Sequence, residues 1–381
     1  MRVCVCTVVH HPEDARIMRR QISALLEAGH EVVYIAPFSH CNVTPRRQVT
    51  AVDVPRAVGW RRLHALRAAR KALRKAARDA DLLVVHDPEL LFALPRRRPP
   101  TVWDVHEDTA GALATKEWVP DRLRRPLAGL VRRLERRAEE RVHLLLAEDA
   151  YAERFTREHP VVLNTAYVPD RPSAATGRDR VVYVGQLSLA RGAADLVEVA
   201  RLLAPRGVRL ELIGAADAEV REMLRQAQRE GLLDWYGYVP NERALRMAEG
   251  AIAGLSLLHD VPNHRHSLPT KVIEYMARGL PVVTTPLPLP AGIVRDAGCG
   301  VVVGYGDAQA VARAVLDLRD DPGLRAAMGG RGHERARARY HWPDHAPEFV
   351  KRLESWARAP EPAAVAGTAP VRRTGDTARA R

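Results

Sequence analysis

The stretch Ser267-Leu-Pro-Thr-Lys-Val-Ile-Glu-Tyr-Met-Ala-Arg-Gly-Leu-Pro-Val-Val283 holds a helix and the start of a strand with almost nothing between them. Ser267 and Thr270 are candidate helix caps, and Pro269 suits the approach to a first turn. Gly279 stops the helix and Pro281 prevents its continuation. A helix feeding straight into an apolar strand is the repeating unit of a parallel sheet covered by helices. Moving outward, the same rhythm recurs. Val181–Gly185, Arg209–Gly214, Leu255–Leu258 and Pro281–Thr285 read as strands, separated by helical patterns at Ala193–Leu203, Glu219–Glu230 and Thr270–Arg278. Before the polar stretch Pro169–Arg180, Val3–Val9, Glu31–Ala36, Leu82–His86, Thr101–Val105, Leu144–Ala147 and Val161–Leu163 repeat the pattern, with Ala15–Ala28 helical up to Gly29.

The expectation is an α/β protein with two Rossmann-like parallel-sheet domains. The first covers 1–168, the linker 169–180 and the second 181–342. Pro347–Trp356 reads as the amphipathic part of a last helix, and a C-terminal helix over 343–357 is expected to rejoin the first domain. The Ala/Pro/Arg-rich segment 358–381 has no periodicity and reads as disordered. Such sheets take ligands at the carboxyl ends of their strands, so the chemistry is expected in loops lining the cleft between the domains.

Composition narrows the partners. With 381 residues, two domains are favoured over one or three, and 46% hydrophobic with 28% charged residues excludes wholesale disorder. The 59 Lys+Arg against 46 Asp+Glu leave a net charge of +13, which points to a polyanion: nucleic acid, an anionic membrane surface or a phosphorylated small molecule. Cys4, Cys6, Cys41 and Cys299 form no disulfide framework and predict a reducing compartment. No apolar run approaches the length of a membrane span, and the N-terminus turns polar too soon for an export signal. Both features predict a cytoplasmic protein.

The Ser267–Val283 stretch also carries chemistry. A helix N-terminus at the ligand edge exposes free N–H groups, and Lys271 in its first turn makes an anion site suited to a diphosphate. Glu274, three residues on, is placed to accept hydrogen bonds from the vicinal hydroxyls of a ribose. Taken alone, the stretch reads better as a capped surface helix with a Lys–Glu pair, because such pairs are common.

With its neighbours it resembles the donor-binding segment of the GT-B-fold retaining glycosyltransferases of glycosyltransferase family 4. Val181-Val-Tyr-Val-Gly-Gln-Leu-Ser-Leu-Ala-Arg-Gly192 resembles that family's strand and loop after the linker, Gly237-Tyr-Val-Pro-Asn241 its loop beside the nucleobase, and Ala28-Gly-His-Glu-Val32 and Asp104-Val-His-Glu107 its N-terminal-domain motifs. The resemblance covers residues 1–356 and implies a GT-B-like arrangement using a nucleotide-diphosphate sugar as co-substrate, with no metal or other cofactor. It implies that Glu274 holds the donor ribose, that Arg191 and Lys271 neutralise the diphosphate, and that Ser267, Leu268, Pro269, Thr270 and Lys271 line it. Gly185 and Gly192 would let the chain approach the phosphates closely, and His106 would contact the donor sugar near the reacting centre. It further implies retention of anomeric configuration by front-face attack, without an enzymatic nucleophile.

Three departures from the family pattern stand out. His266 replaces the glutamate that usually helps hold the donor sugar, and Gln186 stands where a basic residue is common. The first loop, Val9–Arg16, lacks the usual glycines; His11, Asp14 and Arg16 are its candidate acceptor or sugar contacts. Glu107 and Asp108 are candidates for a base or for orienting the acceptor. The run His259–His266 is expected to turn part of itself toward the sugar, and its three histidines complete no recognised metal-ligand spacing.

Two basic stretches, Arg56–Arg78 and Arg122–Arg141, fit either helices lying on an anionic membrane or solvated faces of an Arg-rich protein. The first would place Trp60, Leu63, Leu66 and Leu73 near one face and imply a lipid-linked acceptor; the second suits a small-molecule acceptor. Two rival functions are a GT-B sugar-nucleotide epimerase and a nucleic-acid-binding protein. No zinc-finger, helix-turn-helix or RNA-binding aromatic signature supports the latter.

Overall fold

A computed structural model describes residues 1–106, 121–174, 176–265 and 267–359. Glu107, Asp108, His266 and the segment from 360 onward lie outside the described residues.

The first sheet is built from β1 (Arg2–Cys6), β2 (Glu31–Ala36), β3 (Thr50–Asp53), β4 (Leu82–Val85), β5 (Thr101–Val105) and β6 (His143–Leu146), all parallel in the order β3-β2-β1-β4-β5-β6. The second uses β7 (Arg180–Val184), β8 (Arg209–Ile213), β9 (Leu233–Trp235), β10 (Gly254–Ser256), β11 (Val282–Thr284) and β12 (Gly300–Val302) in the order β12-β11-β10-β7-β8-β9, also parallel. The inner strands are buried along nearly their whole length, as parallel strands covered on both faces must be. This is the two-domain α/β architecture that the strand–helix rhythm predicts, and it fits the GT-B arrangement that the resemblance implies.

Of the helices, α1 runs through Ala15–Ile22 as a π-helix and continues as an α-helix through Ser23–Glu27. Then come α2 (Arg62–Ala76), α3 (Asp121–Glu139), α4 (Ala193–Leu203), α5 (Ala218–Arg229), α6 (Asn241–Ala248), α7 (Thr270–Ala277), α8 (Pro288–Ala297), α9 (Ala308–Asp320), α10 (Pro322–Tyr340) and α11 (Trp342–Arg358). On α11, Trp342, Phe349, Val350 and Leu353 bury into the core formed by Val3, Val5, Ile17 and Leu82 of the first domain. The last helix therefore crosses back to the first sheet.

Three expectations differ from the structure. Val161–Leu163 is no strand but a single bridge from Val161 to Leu146. The apolar residues of the Arg56–Arg78 stretch do not share a face: Leu73 is fully buried, while Trp60 and Leu63 stand in solvent. Ser267 and Thr270 do not cap α7. Pro269 occupies the capping position without a side-chain hydrogen bond, and the Ser267 hydroxyl donates to the Asn263 carbonyl instead.

Candidate active site in the interdomain cleft

On the second domain, β7 ends at Val184 and the chain turns through Gly185 (φ +126°), which lies against Lys271: a Cβ there would sit 3.4 Å from both Lys271 Cε and Nζ. The loop then forms a short turn ending at Arg191, and Gly192 (φ +81°) starts α4. Gly192 packs so closely that a Cβ would fall 2.3 Å from the Leu257 carbonyl oxygen, so only glycine fits. α7 presents its N-terminus to the same place. Lys271 is 5% exposed, with Nζ 3.4 Å from the centroid of the Tyr183 ring. Among the described residues its ammonium has no hydrogen-bond partner. Burial, and then the nearby Arg191 charge, holds its pKa well below the ordinary lysine range. An unsatisfied buried ammonium beside a second cation and a helix N-terminus is a site that an anion would complete.

One turn further, Glu274 is buried and accepts a hydrogen bond from Asn241 Nδ2 at 2.8 Å. It borders a 350 Å³ cavity between the domains, with Arg19, Arg20 and Tyr167 on the opposite wall. Gln186 donates to Asp217 at 2.7 Å and is exposed. His259 pairs with Asp195 at 2.6 Å and Arg265 with Asp260 at 2.5 Å, so most of the polar run before position 266 bonds within its own domain. His264 does so too, its Nδ1 lying 3.1 Å from the His259 carbonyl oxygen, and it is buried close enough to Arg191 and Lys271 to feel both charges.

On the first domain, His106 follows β5. Its Nδ1 lies 3.0 Å from the Asp104 carbonyl oxygen, an acceptor only, so Nδ1 carries the proton. Nε2 then accepts from His10 Nε2–H at 2.9 Å. The same His10 Nε2 also lies 3.2 Å from the buried Asp87, which receives the Val8 amide at 2.5 Å and the Thr7 hydroxyl at 3.0 Å. Burial, together with His10, His86 and Arg16, holds the His106 imidazole well below the ordinary histidine range; Asp104 opposes them. His106 is therefore neutral at neutral pH.

Arg16 does not face an acceptor. Its guanidinium holds the buried Asp104 bidentately at 2.8 and 2.7 Å and also donates to Asn164 at 3.1 Å. Its planar fork matches the buried Asp104 carboxylate, and this pairing offsets both charges. Asp14 caps α1 by accepting from the Arg16 and Ile17 amides. Only His11 of the three first-loop candidates meets the other domain, tilted against Tyr238 at 4.8 Å between ring centroids.

His86, Asp104 and His106 offer ligand atoms within 4.8 Å of one another. However, Asp104 already accepts from Arg16 and Gln21, with His86 Nδ1 at 3.2 Å, and this donor set fits a hydrogen-bond hub better than a metal site.

Four groups escaped the sequence reading: His10, Asp87, Asn241 and Glu148. Glu148, at the end of β6, is 4% exposed and accepts from Asn164 Nδ2 and from the Leu268 amide of the other domain, both at 3.3 Å. Asn241 and His10 lie in motifs the sequence singles out, but their partners come from remote segments and leave no local signal.

Comparison with known proteins agrees with this fold. The model of Glycosyltransferase Family 4 matches residues 15–165, and that of Glycosyl transferases group 1 matches residues 169–335, so the seam between them falls at the linker. The lipopolysaccharide core biosynthesis glycosyltransferase LpsE of Rhizobium meliloti is 31% identical over 172 residues; the match covers 43% of this chain and less than half (47%) of that relative. The phosphatidyl-myo-inositol mannosyltransferase of Mycolicibacterium smegmatis is 26% identical over 91% of this chain and 90% of its own. Among solved structures, sucrose-phosphate synthase from Thermosynechococcus elongatus has a TM-score of 0.72 at 17% identity, covering 93% of this chain and 98% of that one. Anabaena HepE in complex with UDP-glucose has a TM-score of 0.68 at 15% identity, covering 93% and 100%. The epimerase alternative is not favoured, since both curated relatives are transferases. The chain is a glycosyltransferase of GT-B architecture that resembles glycosyltransferase family 4.

Proposed function

We propose that this enzyme moves a sugar from a nucleotide-diphosphate sugar to a hydroxyl of a cell-envelope glycan or lipid, or of a small secondary metabolite, with retention of anomeric configuration. The observation that carries the reading is Lys271: a buried ammonium without a hydrogen-bond partner among the described residues, beside Arg191 and at the N-terminus of α7. Breaking a sugar–phosphate bond leaves negative charge on the diphosphate, and fixed donors aimed at that position stabilise the transition state more than the ground state. Glu274, one turn along, would accept from the ribose hydroxyls, displacing or sharing the Asn241 amide. Neutral His106 would face the sugar at the first domain's edge. The departing phosphate would take the acceptor proton, and no metal enters the scheme.

UDP-glucose in HepE and the lipid named for the mycobacterial relative are consistent with a nucleotide-sugar donor and a glycan or lipid acceptor. Among the described residues no helix is long and apolar enough to cross a membrane. A cytoplasmic location with peripheral contact to an anionic membrane fits the exposed Trp60 and Leu63 beside basic α2.

A thermal-shift panel of nucleotide-sugars tests the donor assignment. The true donor raises the melting temperature by mass action, and Glu274→Ala removes most of that shift. A shift of equal size in Glu274→Ala, or no shift with any donor, contradicts the reading.

A further inference from the structure

Glu148 has no part in the chemistry just described, yet it reaches into the site. It sits on the first domain, and its Oε1 takes the Leu268 amide of the second domain at 3.3 Å, two residues ahead of α7. A hydrogen-bond chain stands behind it: Asn164 donates to Glu148, Arg16 donates to Asn164, and Arg16 holds Asp104 on the strand that carries His106. The inference rests on reading the segment from Leu268 to Lys271 as the diphosphate site. In that reading, a carboxylate of one domain fills part of the anion site of the other.

We propose that the Glu148 carboxylate competes with the donor diphosphate for the Leu268 amide, and that a bound diphosphate drives one proton from solvent onto Glu148. Two anions cannot share one amide in a buried cleft without a large Coulomb cost. Protonation removes the repulsion and turns Glu148 into a donor that can face a phosphate oxygen. The group is poised for this change, because burial pushes its pKa up to about 7 against the Leu268 amide, Asn164 and Arg16. The groups around it are Arg16 on α1, Asp149 beside it in the chain, Tyr340 at the end of α10 and the amides of Leu268 and Asn164.

Calorimetry with UDP, GDP and ADP at pH 8, where the nucleotide phosphates are fully ionised, run in buffers of different ionisation enthalpy, measures the protons taken up. Wild type takes up protons on binding. Glu148→Gln takes up about one fewer and binds about tenfold more tightly at this pH, a gap that closes toward pH 6. Infrared difference spectra of wild type on nucleotide addition show a carboxylate becoming a carboxylic acid, which keeps the test independent of how the variant folds. Equal proton uptake and equal affinity in wild type and Glu148→Gln overturn the proposal, as does the absence of the carboxylic-acid band. Arg191→Ala separates the two claims. Weakened nucleotide binding there supports the diphosphate site; unchanged binding, or no binding of any of the three nucleotides to wild type, overturns the site and the competition with it.

Discussion

Asp104 is the residue on which the first domain's half of the cleft depends. Fully buried, it accepts from two Arg16 nitrogens and from Gln21; burial alone would raise its pKa, but Arg16 and then His86 outweigh that and hold it well below the ordinary carboxylate range. Asp104→Ala strands the buried Arg16 guanidinium and should cost about 3–5 kcal/mol in a denaturant unfolding curve; an unchanged midpoint would contradict the hub. Glu148 behaves oppositely. Its folded pKa of about 7 stands above the ordinary 4.5, so the folded state binds the proton more tightly. Stability contributed by this group is full below about pH 4.5 and is lost as pH rises through about 7, a penalty of up to about 3 kcal/mol at neutral pH. Glu148→Gln should therefore raise the melting temperature at pH 8 and leave it nearly unchanged at pH 4.5. A variant less stable than wild type at pH 8 would refute that sign. Lys271 and Glu274 were legible as a pair because both sit on one short helix with clear stops, and the family resemblance is what singled them out. Glu148 and His10 were not, because their hydrogen bonds join segments that only the fold brings together.

At the scale of elements, the long inner strands and the helices with clear stops were readable, and the short edges were not. Ala193–Leu203, Glu31–Ala36 and Thr101–Val105 match the sequence pattern residue for residue. β3, β9 and β12 went unseen because three or four residues at a sheet edge carry too little periodicity. The amphipathic pattern from Pro347 marks only the later turns of α11, whereas the expected span 343–357 falls within one residue of it at each end. The loop from Gly185 to Gly192 makes the sharper prediction. Gly192→Ala meets both a left-handed backbone and the Leu257 carbonyl, so it should destabilise the protein by at least about 1–2 kcal/mol and weaken nucleotide binding by shifting Arg191. A wild-type melting curve with wild-type nucleotide affinity would contradict this account of the turn.

At the scale of the whole molecule, the +13 charge divides into two populations. A few cations line the cleft, with Lys271 and Arg191 beside the N-terminus of α7. Many of the others coat the first domain, where α2 carries a dense run of Lys and Arg beside the exposed Trp60 and Leu63. If that face meets a membrane, the protein co-sediments with anionic vesicles at low salt, and Trp60→Ser with Leu63→Ser reduces the bound fraction several-fold; equal sedimentation of wild type and the double variant would assign the surface to solvent. The central claim is narrower and concerns the cleft. Lys271→Met keeps the stem over Tyr183 and removes only the charge, so calorimetry of UDP and GDP binding tests it most directly. The account predicts a loss of about 30-fold or more in affinity, the worth of a charge-assisted hydrogen bond in a buried site, with the melting temperature maintained or raised. Nucleotide affinity equal to that of wild type would contradict it.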